Sequence, residues 1–165
     1  MTDRAVPILS AALTGTTLMS AFSYVTSQKE GRQFREPELL NKLVRRMPPG
    51  VKINKDSIVG WAIHYIVGIV FCTLYDKIWR RLTPIERMLA ALPLGTVSGV
   101  IGAVIWKYTF KIHPFPPVIR YKNYYLHIIL DHVIFCAFAG LAYTIAKKHS
   151  AHSAPLNDRK QALEK

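Results

Sequence analysis

Four stretches of the chain run almost without Asp, Glu, Lys or Arg, and they set the first expectations. They extend from Ala5 to Gln28, from Ser57 to Tyr75, from Met88 to Trp106 and from Asn123 to Ala146, the last broken only by Asp131. A helix needs about 20 apolar residues to cross the hydrocarbon of a bilayer, and a soluble core helix is rarely charge-free for so long. The pattern predicts an all-α integral membrane protein with four spans, at 6–27, 57–79, 86–108 and 123–146, within one membrane domain over 1–146. Arg4 followed by an apolar run and Ser20-Ala21-Phe22-Ser23 also suits a cleaved signal peptide. A retained helix is preferred, because the small-residue pattern of the first stretch returns in the third.

The connections differ in kind. Between the first two spans, residues 36–47 read as a short amphipathic helix. Pro37 suits its first turn, Glu36 and Glu38 lie at the start, and Lys42, Arg45 and Arg46 lie at the end, as the helix dipole favours. Leu39, Leu40, Leu43, Val44 and Met47 form an apolar face, which predicts a helix lying along the membrane surface. In the second connection Thr83, Pro84 and Glu86 make a capping-box start for the third span. The third connection, around Pro114-Phe115-Pro116-Pro117, is held extended by its prolines. The tail 147–165 is polar and is expected to be mobile.

An internal repeat emerges from the spans. Shifting the first by 84 residues places Ala11, Gly15 and Tyr24 on Gly95, Gly99 and Tyr108. Shifting the second by 68 places His64 and Tyr75 on His132 and Tyr143, with Gly68 and Cys72 facing Cys136 and Gly140. Two tandem helical hairpins, related by an axis along the membrane normal, would produce this arrangement.

Charge changes the picture little. The net charge of +12 would suggest nucleic acid in a soluble protein, but the basic residues lie between the spans and no nucleic-acid motif is present. Beside hydrocarbon, such a surface meets lipid phosphates. The expected partners are therefore the lipid bilayer and a second copy or a membrane-complex partner, with no nucleic acid. Lys and Arg number 8 in the first connection against 4 in each of the other two and 5 in the tail. That distribution slightly prefers the first connection inside. The resemblance described below and the polar tail favour both termini in the cytoplasm, and that orientation is the one expected. Cys72 and Cys136 fall inside spans and behave as small hydrophobes.

Residues at 0, +4, +8 and +11 share one helix face. His64, Gly68, Cys72 and Tyr75 form one such stripe, and His132, Cys136, Gly140 and Tyr143 another. Small residues let membrane helices approach closely, so Ala11, Gly15, Gly68, Gly95, Gly99 and Gly140 are the expected packing positions. The bland interpretation makes the histidines packing residues too. The sharper one is a polar site formed by His64, His132 and Asp131, with His127 and His113 near its mouth, because an ionisable residue inside a span is a functional candidate by default. Histidine and carboxylate could ligate a metal, and two histidines a haem, but the spacing is diagnostic of neither. No nucleophile, phosphate loop or paired-carboxylate motif points to catalysis, and no metal ligand or cofactor is assigned. Asp76, near Lys77 and Arg80, reads as an interface ion pair.

The segment His64-Tyr65-Ile66-Val67-Gly68-Ile69-Val70-Phe71-Cys72-Thr73-Leu74-Tyr75, the Gly-rich third span, Pro114-Phe115-Pro116-Pro117 and Asp131-His132 occur in an order that resembles the YagU-like small bacterial inner-membrane proteins. The resemblance covers about residues 6–146. It implies an inner-membrane protein without a settled reaction or cofactor, and it transfers no catalytic residue. The expected role is that of a small multi-pass structural or interaction component of the membrane. The alternatives are a transporter or channel subunit with a His/Asp polar site between helices, and a metal- or haem-binding membrane protein.

Overall fold

The computed structural model describes residues 2–31, 34–48, 52–54 and 56–163. Five helices occur among them: α1 (Thr2–Glu30), α2 (Glu36–Arg45), α3 (Ile58–Trp79), α4 (Pro84–Ile112) and α5 (Tyr121–Leu163). Four have stretches long and apolar enough to cross a membrane: Arg4–Glu30, Ile58–Trp79, Pro84–Ile112 and Tyr121–Ser150. The protein is thus an all-α integral membrane protein with four spans. Residues 147–163, part of the expected mobile tail, continue α5, which runs through Pro155. Large apolar side chains such as Leu89, Leu92 and Val97 point outward, where lipid meets them.

Local chemistry sets the helix ends. Ser57 caps α3 by accepting from the Val59 N–H. Thr83 and Glu86 form the reciprocal capping box at the start of α4, with Pro84 at its first turn. Past the end of α1, Gly31 takes φ 59°, a left-handed conformation that ends the helix without steric cost. Just beyond, the Phe34 N–H donates to Ser27 Oγ at 3.1 Å, which folds the chain back against α1.

The helices pack as a curved row, α3 on α1, α1 on α5 and α5 on α4, with α2 against α3. The α4/α5 contact is backbone to backbone. A Cβ on Gly95 would stand 2.5 Å from Val133 Cα, and one on Gly99 would stand 2.6 Å from Ile129 Cα. Gly15 admits Phe135 and Ala139 of α5, and Gly68 admits Thr16 of α1. Gly140 is looser, its nearest neighbours being Arg87 O and Trp79. Ala11 is fully buried in the central cluster with Cys72, Cys136 and Ala139. The two ends of the row, α3 and α4, barely touch, and the row therefore stays open between them.

Each end of the bundle is held differently. Where α3 turns into α4, the buried Arg87 donates through Nε to Trp79 O (2.7 Å), through NH2 to Leu82 O (2.6 Å) and through NH1 to Thr144 Oγ1 (3.1 Å). The first bond joins one from the Leu82 N–H, which Trp79 O also accepts at 3.2 Å, and the second gives a partner to Leu82 O in the turn after α3. Beside it Asp76 accepts from the Tyr143 hydroxyl at 2.5 Å, so its structural partner is a tyrosine of α5 rather than the expected interface cations. At the other end α2 lies across the bundle. Asn41 Oδ1 accepts from Gly60 N–H and its Nδ2 donates to Ser57 O, both at 2.8 Å, joining α2 to the start of α3. His113 accepts the Phe115 N–H on Nδ1, which leaves Nε2–H to donate to Leu43 O at 3.0 Å. Leu39 and Leu43 are buried, Met47 is half-exposed, and α2 sinks part of its polar side, Glu36 and Asn41, into the protein.

Candidate functional site

A row of hydroxyls on α1 organises the interior. Thr16, Ser20, Ser23 and Ser27 follow each other at steps of four, three and four residues, which is one face of a helix, and all four are buried. Ser27 fixes the turn after α1, as described. Ser20 Oγ lies 3.1 Å from His64 Nε2. Ser23 Oγ donates to Asp131 Oδ2 at 2.7 Å and lies 3.1 Å from His127 Nε2 and 3.5 Å from Glu36 Oε2. Thr16 Oγ1 is buried without a hydrogen-bond partner.

Ser23 is the centre of a buried ionisable cluster drawn from three helices. Asp131 has no exposed surface and Glu36 is 3 % exposed. His127 Nε2 lies 3.0 Å from Asp131 Oδ2, one helical turn away on the same face of α5. Phe34 stacks on the His127 ring at 4.3 Å and Phe22 at 5.6 Å, closing the cluster with apolar surface. Burial first, and then the neighbouring Asp131 charge, hold the Glu36 carboxyl well above the usual carboxylate range. Two carboxyl groups sharing one site cannot both ionise cheaply. Despite this crowding, Glu36 Oε1, Asp131 Oδ1 and the Tyr124 hydroxyl are all buried without a partner.

A second candidate region, mostly apolar with two histidines in its lining, lies in the gap between α3 and α4. It is a cleft of about 190 Å³, walled by α3 and α4, floored by Thr16, His132 and Phe135, and closed at one end by Glu36 and Leu40 of α2. His64 and His132 both line it. His132 Nδ1 lies 2.9 Å from Ile128 O. A carbonyl can only accept, so Nδ1 carries the proton and the neutral ring leaves Nε2 as a lone pair. Gly102 opens the space beside that atom, since a Cβ there would stand 3.2 Å from Nε2.

The residues singled out from the sequence therefore divide. His64 and His132 line one cleft. Asp131 and His127 lie in the neighbouring cluster, on another face of α5. His113 sits at neither, being spent on the α2 tether. Ser23, Glu36, Thr16 and Tyr124 were not anticipated. The hydroxyl row of α1 could have been found by its spacing. Glu36 gives no such signal, because an acid in a first turn is ordinary and its burial depends on the fold-back at Gly31. Among the described residues, no group of three or more His, Cys, Asp or Glu side chains is placed to hold a metal ion.

The fold and these sites define a small polytopic membrane protein with buried ionisable groups. No known family, curated protein or solved structure matches the chain.

Proposed function

We propose that the protein is a proton-binding component of the membrane, a small transporter or channel subunit whose working site is Glu36, His127 and Asp131 around Ser23. What supports this is one observation: two carboxyls and a histidine are buried together while three polar atoms beside them stay unpartnered. A network that serves only to pack helices is stable when every member is satisfied, and a half-satisfied one is costly. A site that gains and loses a proton needs acceptors that are free in one state. One proton held between Glu36 and Asp131 would keep a single negative charge in the cluster. Its release towards the α2 end would follow from any movement of α2, which carries Glu36. On the resemblance to the YagU-like proteins, the site would sit in a bacterial inner membrane with both termini cytoplasmic.

The test is infrared difference spectroscopy of the purified protein over a pH titration, paired with dye-reported proton uptake in proteoliposomes. A carboxylic-acid carbonyl band that titrates above the ordinary carboxylate range, and is lost in both Glu36→Gln and Asp131→Asn, is expected, together with uptake that those variants abolish. Absence of such a band and of uptake leaves the structural or interaction role as the better reading. A stoichiometric membrane partner recovered by pull-down would then support it.

A further inference from the structure

The cleft between α3 and α4 has chemistry that the proton site does not use. Its walls are spanning helices, and Val67 and Ile105 at its sides are each about half-exposed on the outer surface. What meets the opening is therefore hydrocarbon. Its interior is mostly apolar, with Phe71, Trp106 and Phe135 among the lining residues. Set into that lining is a polar atom without a partner, His132 Nε2, on a residue that is 9 % exposed and whose other ring nitrogen is already bonded. It accepts a hydrogen bond and cannot donate one. Two further lining residues carry unpartnered atoms, Thr16 Oγ1 and Glu36 Oε1, but both atoms are fully buried.

We propose that this cleft binds the hydroxyl end of a single-chain apolar alcohol drawn sideways from the bilayer. A hydroxyl donates to His132 Nε2, and it does so without bringing a charge into apolar surroundings. A carboxylate fails, because it has no proton to give to the lone pair. A bare alkyl chain leaves that nitrogen unpaired. The volume sets the size of what enters. About 190 Å³ is little more than the 150 Å³ that holds a benzene-sized guest, so the cleft takes the hydroxyl and the first few carbons while the rest of the chain stays in lipid. A two-chain phospholipid headgroup does not fit. Leu40 and Glu36 of α2 close the interfacial end, which leaves the gap between α3 and α4 as the route of entry. This inference does not depend on proton binding at the neighbouring cluster.

The experiment uses the full chain in nanodiscs with hexadecanol bearing a diazirine near its hydroxyl. Photolabelling is expected on α3 and α4 residues of the cleft, suppressed by unlabelled hexadecanol and untouched by hexadecane. Val67→Trp, which places an indole at the half-exposed edge without entering the core, should abolish it. His132→Phe should weaken half-maximal competition by about fivefold, the loss of one hydrogen bond in apolar surroundings. Gly102→Ala, which crowds the same ring while keeping its nitrogen, provides a second route to that result if His132→Phe does not fold. Equal competition by hexadecane, preferential competition by palmitate, or labelling that survives Val67→Trp would each overturn the proposal.

Discussion

The two ends of this bundle each bury charge, and they treat it in opposite ways. At the α3–α4 turn, Arg87 and Asp76 find partners, and neither leaves a buried side-chain atom unpaired. At the α2 end, Glu36 and Asp131 are as deeply buried, yet each keeps an oxygen with no partner. Arg87 serves carbonyls of the α3–α4 turn, so its position follows from the fold. Nothing in the helix geometry asks for a second carboxyl beside Asp131. The chain brings one there by reversing at Gly31 and dropping the first turn of α2 onto Ser23. Burial of charge is thus a poor guide to function by itself, and what separates these two pairs of charged residues is whether their own partners are complete.

Substitutions sharpen that contrast, beginning with the most damaging. Arg87→Ala removes three hydrogen bonds and leaves the Leu82 carbonyl without its side-chain partner, and should cost about 3 kcal/mol or more, read as a fall in thermal unfolding temperature in detergent. Near-wild-type stability would mean that the α3–α4 end is not pinned as described. Gly99→Leu drives a side chain into the α5 backbone. Overpacking of about 1–3 kcal/mol should lower folded yield and stability, whereas a harmless Leu would place this face against lipid.

At the opposite end the effects are smaller and change in kind. Ser23→Ala removes the donor to Asp131 and should cost about 1.5 kcal/mol, with the loss shrinking in an Asp131→Asn background. Equal losses in both backgrounds would show that the hydroxyl does not act through that carboxyl. Glu36→Gln should alter the pH response more than the stability itself. The folded state raises the Glu36 pKa, so it holds a proton that the unfolded chain releases. Stability from this group is complete at acid pH and declines as pH climbs past the ordinary carboxylate range. Unfolding curves should show that decline in the wild type and a flatter profile in Glu36→Gln. An unchanged slope would remove Glu36 from the titrating site.

The spans were legible because membrane burial demands long charge-free helices, and the capping box at Thr83 because its chemistry is local. The stripe from His64 to Tyr75 was legible for a similar reason: its four members share a helix face, and all four are buried. Which partner each stripe meets was not legible. His132 and Asp131 are adjacent in sequence, so they look like one site, but consecutive residues on a helix point about 100° apart, and here they enter separate regions. The burial of Glu36 was hidden for another reason. It depends on a reversal after α1 and on the packing of α2 against α3, neither of which is recorded in the composition of residues 36–47.

The helix with the most extensive packing is the last of the four spans in chain order. α5 packs on both α1 and α4, while α3 and α4, which the ribosome delivers back to back, barely meet. During synthesis the first three spans can enter the bilayer with Ser23 of α1 lacking its α5 partners and the glycines of α4 facing only lipid. Polar side chains held in that state are the kind of feature that membrane insertases shield and quality-control proteases read. A message truncated before Tyr121 should therefore yield a short-lived product, and arrival of α5 should be the step that ends its exposure to degradation.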